Sequence, residues 1–208
     1  MEHKIIFATA NEGKMREVRM ILADLGLPVL SLKEARIGVD ILEDGATFEE
    51  NAAIKVKAIR PYTDGIILAD DSGLEIDFLG GEPGVQSARY MGHDTSYDVK
   101  NAAIIDLLAE AEGKARSARY VCAIAALFTD GKLSVVRGEL EGEIGYESRG
   151  EGGFGYDPIF YLPEYGMTAA EISAELKNQI SHRGKALEAV KAEILRYKEQ
   201  MHENSGRE

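Results

Sequence analysis

Nine consecutive residues, Tyr120 to Phe128, form the longest unbroken apolar run of the chain. A membrane span needs about 18 or more, so the run is too short to be one. It is apolar on both faces, and it therefore reads as a central strand that needs cover from two sides. Asp130-Gly131 turns it into Leu133–Val136, a hairpin signal, and a polar-alternating strand follows from Gly138 to Ile144. Before this region helices and strands alternate. A short apolar strand, Lys4–Ala8, leads to a helix with Met15, Val18, Ile21, Leu22 and Leu25 on one face, stopped by Gly26 and Pro28. Val29 to Leu32 reads as a second short strand. The capping box Thr47-Phe48-Glu49-Glu50 opens a helix with Phe48, Ala52, Val56 and Ile59 as its stripe, and Asn51 and Lys55 one turn apart beside it. Ile66–Ala69 is a buried strand that runs into Asp70-Asp71-Ser72-Gly73, and Leu74, Ile76 and Phe78 alternate as another. The pattern predicts an α/β protein with a mixed sheet flanked by helices.

Further along, Ser96 caps a helix with Val99, Ala103, Leu107 and Leu108 inward. Thr168-Ala169-Ala170-Glu171 is a second capping box, and Ser181 opens the last helix, with Leu187, Val190, Ile194 and Tyr197 inward. No linker divides the chain. The expectation is one domain of two lobes over residues 1–197, with a cleft between them, followed by a polar, frayed tail at 198–208.

Composition narrows the partners. The 208 residues carry 36 acidic and 24 basic side chains, a formal charge of −12. That balance argues against a sequence-independent nucleic-acid binder, which needs a basic face. One cysteine, Cys122, lies inside the apolar run, so no disulfide framework is expected. The first residues show no cleavable leader pattern. These features point to the cytoplasm, without membrane or nucleic acid as partners.

Four segments carry candidate chemistry. Thr9-Ala10-Asn11-Glu12-Gly13-Lys14 lies between a strand and a helix, where free N–H groups, the helix dipole and Lys14 suit an anion. The competing reading is that Thr9 and Asn11 turn the chain and cap the helix. The segment misses the Walker A pattern, with Ala8 in place of its first glycine and Met15 in place of its Mg²⁺-binding hydroxyl. Asp70-Asp71-Ser72-Gly73 offers hard oxygen ligands suited to Mg²⁺ held with substrate phosphates, and Glu43 could add another. In Gly153-Phe154-Gly155-Tyr156-Asp157-Pro158, Phe154 or Tyr156 could stack on a flat ligand that the glycines let approach. Lys177 and Ser181-His182-Arg183-Gly184 place cations at a helix start, where the dipole favours acids; a local rule broken this way hints at function. Arg89 is a weaker case. Polyphosphate, divalent ion and planar base together describe a metal-bound nucleoside triphosphate.

In this order the segments, with Thr47–Ala52, Pro83-Gly84-Val85 and Ser87-Ala88-Arg89-Tyr90, resemble the inosine triphosphatase family of nucleoside-triphosphate pyrophosphatases. The resemblance spans about residues 4 to 197; its one departure is Ala10, where members usually have glycine. It implies an elongated mixed sheet, and Mg²⁺-dependent hydrolysis (Mn²⁺ as a possible substitute) of the purine nucleotides ITP, dITP and XTP to monophosphate and pyrophosphate, by a homodimer. It also implies that Thr9–Lys14 and Lys55 hold phosphate. Asp71 would be the proton acceptor and a metal ligand, with Glu43 a further ligand and Ser72 touching substrate. Phe154, Gly155, Tyr156, Asp157, Lys177, His182 and Arg183 would surround the nucleoside. Two other readings are a P-loop phosphotransferase using Lys14 and Asp70, and a nucleotide sensor without turnover.

Overall fold

A computed structural model describes residues 4–9 and 11–205, the last four by backbone alone. Ala10, expected in the phosphate loop, lies outside the described residues. The described residues form, in order, the strands and α-helices β1 (Ile5–Phe7), α1 (Glu12–Leu22), β2 (Val29–Ser31), α2 (Phe48–Ile59), β3 (Ile66–Ile76), α3 (Tyr97–Leu107), β4 (Ser117–Leu127), β5 (Leu133–Ile144), β6 (Phe160–Leu162), β7 (Met167–Thr168), α4 (Ala174–Ile180) and α5 (His182–Ser205). The strands form one seven-stranded sheet in the order β2-β1-β3-β4-β5-β6-β7. β1 pairs in parallel with β2 and β3, while β5–β6 and β6–β7 are antiparallel, so the sheet is mixed as expected. The apolar run lies in β4, the middle strand. No helix among the described residues is long and apolar enough to cross a membrane.

The chain divides into two compact units: Met1–Asp71, Cys122–Gly138 and Arg183–Glu208 form the first, Ser72–Val121 and Glu139–His182 the second. β3, β4 and β5 each contribute residues to both. In the first unit, Ile5, Phe7, Ile66 and Leu68 share a core with Met15, Val18 and Leu22 of α1 and Leu187, Val190 and Ile194 of α5. Successive strand residues face opposite ways, so Ile6, Ile67 and Ala69, equally buried, belong to the other face. In the second unit, Leu74, Ile76, Tyr120, Leu140 and Phe160 pack with Ile104 and Leu108. Buried Arg116 donates to the carbonyls of Leu108, Ala111, Ile144 and Gly145. It thereby satisfies acceptors at the α3 C-terminus that the helix leaves open.

Several local expectations need correction. Asp70-Asp71-Ser72-Gly73 does not separate two strands: β3 runs through it without a break. Asp, Ser and Gly are poor strand formers, but pairing in the interior of a sheet overrides a weak intrinsic preference. β3 then ends at Ile76, and Phe78 sits half exposed in a tight turn. Gly138 likewise does not split β5. In Thr168–Glu171 the glutamate does reach back to the Thr168 N–H (2.8 Å), yet it closes a turn after β7; α4 starts later, capped by Ser173. On α3 the inward face is rotated. Lys100, Asn101, Ile104 and Leu108 are buried, while Val99 and Leu107 are each 52% exposed. The two polar residues can go inside because Lys100 donates to the Ala88 carbonyl (3.0 Å) and Asn101 to that of Gly155 (3.1 Å). Finally, α5 continues through Ser205 rather than ending at 197. Lys198 reaches from it to the Leu25 carbonyl (3.0 Å).

Candidate active site

In the first unit two adjacent aspartates sit on opposite faces of β3 in different surroundings. Asp70 is 2% exposed and receives the Lys14 ammonium at 2.7 Å, with Arg183 Nε at 3.6 Å. Burial pushes its carboxyl up, but Lys14 and Arg183 overcome this and hold it far below the usual aspartate range. Arg183 is buried as well and donates to Glu17 (3.0 Å). Asp70 is thus a permanent anion that fixes two cations.

Asp71 is half-buried. It accepts from Asn51 Nδ2 (3.0 Å) and Lys55 Nζ (3.3 Å), two α2 residues one turn apart. Burial raises its pKa; Lys55 and Asn51 pull it down and Glu43 raises it, leaving it above the ordinary 3.8. A carboxylate shifted this way is a better proton acceptor than its neighbour Asp70. The Lys55 ammonium also contacts Glu43 Oε2 (2.7 Å) and the Asp70 carbonyl (3.0 Å). Three oxygen donors already gathered around one positive charge are the chemistry a hard divalent ion requires, so Glu43 and Asp71 fit such an ion. Among the described residues no group of three or more His, Cys, Asp or Glu could hold a metal. An ion here would need phosphate or water as further ligands.

At the first loop, the capping reading of Asn11 holds. Its Oδ1 caps α1, taking the N–H groups of Gly13 (2.8 Å) and Lys14 (3.1 Å), while Thr9 Oγ1 takes the Asn11 N–H (3.1 Å). Two donors that could meet an anion are therefore used by the cap. Glu12 and Gly13 are exposed. Met15 is packed in the core, and its place has no hydroxyl for a Walker-type metal site.

The second unit holds the aromatic loop. Buried Asp157 organises it: Oδ2 accepts the Phe154 N–H (2.7 Å) and the Lys177 ammonium, and Oδ1 accepts the Tyr120 hydroxyl (3.2 Å). Gly153, at φ +72°, has no side chain because a Cβ there would strike Asp157 Oδ2. The glycine serves this internal contact. Phe154 is 61% exposed with Lys177 Nζ 5.1 Å from its ring centre, a ring open to stacking. Tyr156 is buried instead, edge-on to Tyr97, its hydroxyl on the Ser87 carbonyl (2.7 Å). Ser87 in turn receives the Leu74 N–H (2.8 Å), so the Ser87–Tyr90 segment supports the loop. Arg89 is exposed and donates to Gln86. His182 is buried and stacked on Tyr120, 4.9 Å between centres at 18°.

With this geometry in place, comparison with known proteins is decisive. The Ham1 family matches residues 5–193. The chain belongs to the Ham1 family. A relative from Geobacillus kaustophilus, named dITP/XTP pyrophosphatase, is 48% identical over 187 residues, 88% of this chain and 90% of its own length. One from Exiguobacterium sibiricum, of the same name, is 44% identical over 194 residues, covering 93% and 98%. The solved structure of a HAM1 protein from Coxiella burnetii superposes with a TM-score of 0.86 at 39% identity, covering 93% of this chain and 99% of that one.

Within this Ham1 chain, Lys14, Glu43, Lys55, Asp71 and Arg183 fall in the first unit. Ser72, Phe154, Gly155, Tyr156, Asp157, Lys177 and His182 fall in the second. Sequence reasoning passed over Glu17 and Tyr120. Glu17 lies one turn after Lys14, on the same helix face, a spacing that could have flagged it. Tyr120 was hidden inside an apolar run.

Proposed function

We propose that the chain hydrolyses non-standard purine nucleoside triphosphates, dITP and XTP as in its named relatives and ITP by the same chemistry, to monophosphate and pyrophosphate. The observation that carries this reading is the contrast between Asp70 and Asp71: one carboxylate locked to Lys14 and Arg183, its neighbour only half-buried and biased toward accepting a proton. Asp71 orients and deprotonates the attacking water. Lys14 and Lys55 bind phosphate oxygens, with Thr9–Lys14 lining the tail and Ser72 touching substrate. Glu43 and Asp71 would hold Mg²⁺, or Mn²⁺ in its place, and the ion would supply neutralisation of the charge that builds on departing pyrophosphate.

Phe154–Asp157, Lys177 and His182 bind the nucleoside, Phe154 by stacking. Arg183 is the buried donor that we assign to the 6-keto oxygen of hypoxanthine and xanthine, where adenine presents an amino donor. A polar mismatch of that type can discriminate by about 10⁴–10⁵. A cytoplasmic homodimer completes the proposal; sedimentation of the purified chain tests the dimer. The deciding experiment is a nucleotide panel with Mg²⁺ in which both products are identified. Pyrophosphate from XTP and dITP supports the reading. Orthophosphate would favour a phosphotransferase, which the buried Met15 disfavours, and tight binding without turnover would favour a sensor.

A further inference from the structure

Tyr120 is the polar member of the longest apolar run, and nothing in the reaction as described uses it. Its ring lies on β4, tilted against Phe160 (4.4 Å between centres) and nearly parallel to His182 (4.9 Å, 18°). Its hydroxyl donates to Asp157 Oδ1 (3.2 Å), while Oδ2 of the same carboxylate holds Lys177 and the Phe154 N–H. All of these residues belong to the second unit.

Packing alone does not account for a tyrosine here. A phenylalanine would fill the same space without a hydroxyl that must find a partner when buried. Asp157 is equally costly in a core unless donors reach both its oxygens. Burial and the Asp157 charge push the Tyr120 phenol well above its ordinary value, so it stays protonated and remains a donor. The hydroxyl and the ring face thus each hold one part of the unit. One is the Phe154 loop, with Lys177 of α4 held on the same Asp157 carboxylate; the other is the imidazole at the start of α5.

We propose that Tyr120 is a positioning residue for base recognition, holding His182 by its ring and the Asp157–Lys177–Phe154 group by its hydroxyl so that the two move as one. The inference rests on the assignment of Phe154, Lys177 and His182 to the nucleoside. Tyr120 itself stays behind them. Loosening it would blur the contacts to the base and leave phosphate binding intact, because the phosphate residues are in the other unit.

The test is Tyr120→Phe, which keeps the ring and removes the hydroxyl. Two constants are read: KM for XTP, and the inhibition constant of inorganic tripolyphosphate, a probe with no base. A lost hydrogen bond to a charged group predicts a rise of about tenfold in KM, with kcat and the tripolyphosphate constant unchanged. His182→Ala is measured in parallel. If His182→Ala raises KM and Tyr120→Phe does not, the positioning role is overturned. If both constants of Tyr120→Phe rise together, the effect is general and the proposal is likewise overturned. If neither variant moves KM, the nucleoside assignment itself falls and takes the proposal with it. Should Tyr120→Phe fail to fold, the wild-type chain with ¹³C-labelled tyrosine rings decides. Saturation with XMP then shifts the Tyr120 ring resonance, and a resonance that stays in place overturns the proposal.

Discussion

The two units solve opposite problems with a buried aspartate. In the first, Asp70 meets Lys14 and Arg183, and the pairing is ionic throughout. In the second, Asp157 meets one ammonium, one backbone N–H and one phenol. The first arrangement sets charge on regular elements, β3, α1 and α5. The second shapes a loop, using the carboxylate to fold a glycine-rich segment around an exposed ring. A site for a highly charged group needs fixed cations; a site for a neutral plane needs a fixed surface.

The contrast can be broken by experiment, and the largest effect should come from beside Asp70. Asp71→Asn should lower kcat by about 10³-fold with the fold intact, since it removes the proposed proton acceptor. Pyrophosphate release and circular dichroism check this, and near-normal turnover would end the general-base assignment. Asp70→Asn should instead act on stability. It takes the shared anion from part-exposed Lys14 and from buried Arg183, which keeps only Glu17, a loss of about 3 kcal/mol in urea unfolding.

The pH dependence carries the same signature. The Asp70 pKa is depressed by folding, so its stabilisation is present above the unfolded value near 3.8 and is lost as pH falls below it. The melting temperature of the wild-type chain should therefore drop below about pH 4, and that component should be missing in Asp70→Asn. An identical acid profile in both would show that Asp70 contributes no such linkage.

Smaller effects belong to the second unit. Lys177→Met should raise KM for XTP by about tenfold, since it takes the charged donor from Asp157. Phe154→Ala should cost a few-fold in KM and less than about 0.5 kcal/mol of stability, because the ring is exposed and supports little of the core. A large stability loss on Phe154→Ala would mean that the ring is structural, and the contrast between the units would blur.

Much of this was legible in the residues. The caps at Asn11, Thr47 and Ser96 lie where their side chains dictate, and the one-turn spacing of Asn51 and Lys55 did bring both to one carboxylate. What local pattern could not reveal depended on distant partners. Asp70 to Gly73 looks like a break between two strands until neighbouring strands pair with β3. Lys100 and Asn101 look like a solvent face until carbonyls at Ala88 and Gly155 receive them. Tyr120 reads as one more apolar residue because its acceptor, Asp157, is remote in sequence. The glycines of the aromatic loop suggested room for a ligand, whereas at Gly153 the room is taken by Asp157.

The uninterrupted course of β3 has one more consequence. Two chemically identical side chains receive different surroundings by parity alone: Ile66, Leu68 and Asp70 face α1 and α5, while Asp71 meets α2. Inserting or deleting a single residue upstream in that strand would exchange these two surroundings without altering the motif's letters. The strand's frame, as much as its spelling, is therefore what selection must guard.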